Sequence, residues 1–176
     1  MDPVFAHIIA IGISLLFLAA GLQKLRLRES FYQVLLGYQL LPEALVGLAS
    51  RVIPMVELAV AAGLIYAESR VTAAIASAML LALYAFSIWI NLRRGNVGLD
   101  CGCQLGESGQ AISYALIYRN ALLVCIALLL LVPQNTREIV LYDYGAMGFG
   151  VVIACLLYAV ANTQIANASS FREINS

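Results

Sequence analysis

Charged side chains are scarce in this sequence: they make up 11% of 176 residues, against about a quarter in an ordinary soluble domain. Ten basic and ten acidic residues cancel, so the basic footprint of a nucleic-acid-binding protein is missing and no nucleic-acid partner is expected. Four unevenly placed cysteines are too few for a secreted disulfide framework. No cofactor-binding motif is visible. What remains is apolar: 62% of the residues are hydrophobic and the mean hydropathy is +0.91. A chain this short cannot bury that much apolar surface in a soluble core. The expected surroundings are the lipid bilayer.

Spanning the hydrocarbon core takes about 20 mostly apolar residues. Five runs qualify: Val4–Leu22, Val52–Ala67 with an upstream extension through Ala44–Ser50, Val71–Leu92, Ile112–Val132 and Gly145–Ala161. Their unbroken apolar character predicts helices, because barrel strands alternate over about ten residues. The fold class is therefore all-α, a polytopic membrane bundle of about five transmembrane helices. One domain over residues 1–165 with a polar tail at 166–176 is expected, frayed from Asn162 onward. Asp2 precedes the first run and the basic residues follow it, the reverse of a secretory signal, so that helix is read as a permanent span. Phe31–Ala49 is less apolar, with Gln33, Gln39, Pro42 and Glu43. Ser30–Leu41 reads as a short interfacial helix, with Phe31, Tyr32 and Tyr38 at headgroup level. Ala74, Ala78 and Ala82, and again Ala146, Gly150 and Ala154, recur every four residues and predict close helix contacts.

Five spans put the termini on opposite sides. Lys24, Arg26, Arg28, Arg51, Arg93, Arg94 and Arg172 then share one side, and only Arg70 and Arg137 the other. Basic residues in short loops mark the cytoplasmic side, which places the third loop there.

That third loop holds the sharpest chemical signal, Asp100-Cys101-Gly102-Cys103. A thiolate is the nucleophile of disulfide exchange and also a soft-metal ligand. Gly102 allows the backbone to fold tightly enough for the sulfurs to meet. A disulfide across one residue closes a small ring, and strained disulfides are the oxidising, labile ones. Cys125 and Cys155 fall inside apolar helices, where a cysteine acts as a small hydrophobe. Glu57 and Arg119 are ionisable residues within predicted spans, and such residues mark functional sites by default. Both are expected about 8–10 Å from the helix ends on the loop side, where they can pair as a structural link or join the cysteines in one site. Cys101, Cys103, Glu57 and Arg119 are the candidate catalytic residues. His7, at the opposite end of the first helix, reads as an interfacial side chain.

Gly21-Leu22-Gln23-Lys24-Leu25, Tyr38-Gln39-Leu40-Leu41-Pro42, Pro54-Met55-Val56-Glu57, Asn91-Leu92-Arg93-Arg94-Gly95, Asp100-Cys101-Gly102-Cys103 and Arg119-Asn120, in this order, resemble the MauE methylamine utilisation family within the DoxX-like membrane proteins. One departure is that Gln104-Leu105 stand where the family usually continues with Phe-Gly. The resemblance implies a four-helix DoxX-like core plus a fifth helix, in the bacterial inner membrane. It implies a role in processing, transport or disulfide maturation of the small (beta) subunit of methylamine dehydrogenase, a periplasmic client, with a thioredoxin-like partner. No resident cofactor is expected. Two other classes stay open: a soft-metal carrier or chaperone with Cys101 and Cys103 as ligands, and a structural scaffold in a membrane assembly. A periplasmic client wants the cysteines outside while the charges put them inside, so the loop either trades electrons with a cytoplasmic donor or the span count is off by one.

Overall fold

Backbone polar groups have no water to turn to inside a bilayer, so each apolar run must satisfy its own hydrogen bonds as a helix. The computed structural model describes residues 1–96, 112–135 and 137–174, and among these there is no strand. The helices are α1 (Pro3–Arg26), α2 (Arg28–Tyr38), α3 (Glu43–Ile65), α4 (Arg70–Arg93), α5 (Tyr114–Leu128), extended by a 3-10 turn at Leu129–Leu131, and α6 (Leu141–Ile174). All but α2 are long and apolar enough to cross a membrane. The protein is thus a multi-pass membrane protein with five candidate spans among the described residues.

Local chemistry sets the ends. Asp2 caps α1 by accepting the Val4 N–H at 2.9 Å, with Pro3 in the first turn, where a missing N–H costs nothing. The α3–α4 turn closes on itself: Ser69 Oγ donates to the Gly63 carbonyl at 2.8 Å and Arg70 Nε to the Leu64 carbonyl at 3.3 Å. These are carbonyls that a helix end leaves unsatisfied, and they explain why Arg70 is buried. Across the same end of the bundle, Arg137 bridges Asp2 at 3.3 Å and Asp143 at 3.1 Å.

Several expectations change in detail. The helix read as Ser30–Leu41 is α2, 11 residues long, and its Phe31 and Tyr38 are buried against the bundle. The next span includes the expected upstream extension as one continuous helix from Glu43, because nothing after Pro42 stops the helix and Pro54 is accommodated inside it. The segment from Asn162 is not frayed: α6 remains helical through Ile174. Of the two small-residue stripes, Ala74 and Ala78 are buried, whereas Ala82 and Ala146 face outward.

Two glycines matter for close approach. A Cβ at Gly21 would stand 3.1 Å from Leu58 and 3.2 Å from the Pro54 carbonyl, so Gly21 lets α1 and α3 touch. A Cβ at Gly150 would stand 2.6 Å from Ile8 Cδ1, across the α1–α6 contact. A Gly150→Leu variant should therefore lose about 1–3 kcal/mol of stability, the usual cost of overpacking. Thermal unfolding in detergent measures this; an unchanged midpoint would mean α6 does not seat on α1 through Gly150.

The core has two parts. Ala6, Ala10, Ile13, Phe17, Val60, Leu64, Ala74 and Leu81 belong to a large cluster. A smaller one joins Tyr38, Ile88, Ile112 and Leu116 at the end of the bundle where the α4–α5 connection emerges, called here the loop end.

Candidate functional site

On α4, Tyr84 falls between Leu81 of the large cluster and Ile88 of the small one. It belongs to a polar layer between the two apolar cores. Glu57 from α3 is fully buried at 0% exposure, and Lys24 from the last turn of α1 is 5% exposed. Lys24 Nζ forms an ion pair with Glu57 Oε1. Tyr84 Oη donates to the same oxygen at 2.6 Å, and Lys24 Nζ also reaches Tyr84 Oη at 3.3 Å. The ammonium lies 4.6 Å from the Tyr84 ring centroid and 5.3 Å from that of Phe31, within the range of cation–π attraction. Glu57 Oε2 is buried with no hydrogen-bond partner among the described residues. A carboxylate, an ammonium and a phenol are thus in direct contact, the first accepting from the other two.

The Glu57–Arg119 pair expected from the sequence is not the one that forms. Because α3 begins at Glu43, Glu57 lies 14 residues along it, about 21 Å at 1.5 Å per residue. Arg119 lies only five residues into α5. Arg119 donates through Nη1 to Asn162 Oδ1 on α6, reaches Asn120 Oδ1 at 3.5 Å through Nη2, and lies 5.8 Å from the Tyr158 ring centroid. It joins α5 to α6, while Lys24 neutralises Glu57.

Lys24, Tyr84 and Asn162 are the residues that sequence reasoning missed. Lys24 reads as a loop cation because it stands two residues from the helix end, where lysines ordinarily extend to the interface. The signal pointing to it is Glu57 itself, a carboxylate that cannot stay charged in hydrocarbon without a cation.

The segment bearing Cys101 and Cys103 lies outside the described residues, but its two anchors are fixed. Asn91, 0% exposed, donates to the Ser87 carbonyl at 3.1 Å and accepts from Asn96 through Oδ1 at 3.3 Å and through its carbonyl at 3.0 Å. Arg94 Nη1 donates to the Gln39 carbonyl at 3.3 Å and the Tyr38 carbonyl at 3.5 Å, tying the end of α4 to the end of α2. On the return side Ile112 is buried beside Tyr38, Ile88 and Leu116. The connection thus leaves and re-enters at the loop end, in the same half of the bundle as Lys24 and Tyr84. Cys125 and Cys155 are free thiols exposed on the bundle surface. His7 Nδ1 contacts the Pro3 carbonyl at 2.7 Å, at the far end. Among the described residues no three His, Cys, Asp or Glu side chains gather as a metal site.

Comparison with known proteins gives a consistent picture. The model of the family described as methylamine utilisation protein MauE matches residues 2–133. That range contains Lys24, Glu57, Tyr84, Cys101, Cys103 and Arg119 and stops before α6. The methylamine utilization protein MauE of Paracoccus denitrificans is 39% identical over 128 residues, 73% of this chain and 69% of that protein. Its counterpart in Methylophilus methylotrophus is 37% identical over 102 residues, 58% of this chain and 54% of that protein. The Paracoccus versutus protein is 37% identical over 127 residues, 72% and 68% of the two chains. No solved structure matches.

Proposed function

This chain belongs to the family of the methylamine utilisation protein MauE, and from that premise we propose that it is an inner-membrane thiol-redox protein of methylamine use. Its client is the small (beta) subunit of methylamine dehydrogenase, which it helps to acquire disulfides. Cys101 and Cys103 are the exchanging pair. A client thiolate attacks their disulfide to give a mixed disulfide, and a second client thiolate resolves it. The client gains a disulfide, and Cys101 and Cys103 leave as thiols carrying the two electrons. A thioredoxin-like partner takes those electrons in a second exchange, its own disulfide being reduced.

The observation that carries this reading is the Lys24–Glu57–Tyr84 layer. A buried ion pair contributes little net stability compared with apolar packing of the same volume, and one placed inside a membrane bundle suggests a functional purpose. It lies in the half of the bundle from which the cysteine segment leaves. The soft-metal reading is weaker on the same ground. Two thiolates are an incomplete set for a tetrahedral ion, and Glu57, the further ligand considered from the sequence, is engaged by Lys24 and Tyr84.

With five spans the cysteine segment shares its side with Arg26, Arg28, Arg51, Arg93 and Arg94. At the other end Arg70 is buried and Arg137 is paired with aspartates. This bias taken alone favours a cytoplasmic loop. Direct exchange with a periplasmic client requires the periplasmic side, so we place Cys101, Cys103 and the thioredoxin-like partner there, against the charge bias. Cells carrying Cys103→Ser, quenched with acid and alkylated, should accumulate a mixed disulfide between Cys101 and that partner. If the trapped protein is cytoplasmic, direct exchange with the client is ruled out; if none is trapped while the client is being made, the exchange mechanism fails.

A further inference from the structure

Between the end of α1, the start of α2 and the first half of α3 lies an open hollow of about 480 Å³. Arg26, Arg28 and Arg51 line it with Glu29, Tyr32 and Ser50. The hollow is at the loop end, because α1 finishes there and α3 begins there. Its three guanidinium groups take part in no ion pair among the described residues, although Glu29 is close by in sequence and could have served. The Glu29 carboxylate accepts instead from Gln33 Nε2 at 3.2 Å, along its own helix. Gly47 adds no side chain to the wall, and nothing lies within 4 Å of where its Cβ would be. Three cations against one carboxylate around an open space leave a net positive site shaped for an anion, and guanidinium forks match phosphate oxygens.

The surface beneath the arginines identifies the source of the anion. Arg26, Leu22, Leu18 and Leu15 follow one another at helical spacing on one face of α1, and the three leucines are exposed. Arg51 and Met55 do the same on α3, beside exposed Leu48 and Val52. The two tracks flank one seam. Gly21, next to Leu22, meets Pro54, next to Met55. Each track therefore carries an arginine at the membrane edge and apolar side chains running down toward the hydrocarbon. A soluble phosphate would need only the arginines. A molecule with a phosphate head and acyl chains needs both.

We propose that this hollow binds the phosphate head group of an anionic phospholipid, with its acyl chains laid along the outer α1–α3 seam. The lipid would brace α2 against α3 at the end of the bundle that presents the cysteine segment.

The test uses the full-length protein in detergent, titrated separately with phosphatidylglycerol, with phosphatidylcholine of the same chains, and with inorganic phosphate, and read by native mass spectrometry. The wild type should bind one phosphatidylglycerol about 25-fold more tightly than phosphatidylcholine, since each net basic charge near a lipid surface contributes about a fivefold gain toward anionic lipid and three arginines against Glu29 leave two. Arg26→Gln combined with Arg51→Gln should lower that affinity about 25-fold on the same scale, and the Arg→Lys pair should restore part of it. Glu29→Gln should strengthen binding by removing the only carboxylate. Arg93→Gln, at the same membrane edge but outside the hollow, should change little. Equal losses from Arg93→Gln and from the Arg26/Arg51 pair would mean diffuse attraction, and the site would be rejected. Saturable inorganic phosphate that depends on Arg26 and Arg51, without preference for the anionic lipid, would reject the lipid and leave a free-phosphate site.

Discussion

Lys24→Met should destabilise the bundle by about 3–5 kcal/mol, the cost of leaving one member of a buried pair uncompensated. Glu57 is fully buried and takes its positive charge from Lys24, with Tyr84 as its further donor among the described residues. Removing the ammonium strands a carboxylate in the apolar interior with no cation beside it. Glu57→Gln should also destabilise, through a Lys24 that keeps the Tyr84 oxygen and two ring faces but no counter-ion. The double variant should be more stable than either single one, because no net charge is left unmatched. Tyr84→Phe, which deletes one hydrogen bond to a charged oxygen, should cost about 1.5–3 kcal/mol. Thermal unfolding in detergent reads all four. Glu57→Gln and Arg119→Gln should add independently, because Arg119 answers to Asn162 and not to Glu57. Strong coupling between Glu57 and Arg119, with none between Glu57 and Lys24, would overturn the assignment of partners.

How far the sequence discloses this site depends on the range of the interaction. The spans are legible because twenty consecutive apolar residues leave the backbone one solution, and the 11-residue α2 stands out by its polar interruptions. The significance of Glu57 is also legible, since an isolated carboxylate in a span demands an explanation. Its partner is not. Lys24 is 33 residues away, and nothing local separates a lysine that extends to the interface from one drawn back by a carboxylate on another helix. Span ends mislead in the same way: depth counted from Val52 makes Glu57 level with Arg119, and depth counted from Glu43 does not. Asn162 reads as part of a polar tail because a single asparagine after an apolar run looks like an exit from the membrane, yet it receives Arg119. The alanine spacing is visible in the sequence, but which end of each stripe meets a neighbour depends on crossing points. Ala82 and Ala146 consequently face outward while Gly150 meets Ile8.

The largest functional effect is expected from the cysteine pair. Cys101→Ser with Cys103→Ser removes both thiols of the proposed exchange while changing two small side chains in a connection between helices. The bundle should fold as before, since its cores are built from α1, α3, α4 and α5 and from the Tyr38–Ile112 cluster. Client maturation should stop, because a serine hydroxyl neither attacks a disulfide nor forms one. Each single substitution should be as damaging as the pair, since exchange needs an attacking and a resolving sulfur. The most direct measurement is the thiol count of the methylamine dehydrogenase beta subunit, isolated from cells that carry the double variant at normal abundance in the membrane. The account predicts a client with free thiols and missing disulfides. A client with its full set of disulfides in that strain would contradict it and leave Cys101 and Cys103 without a redox role.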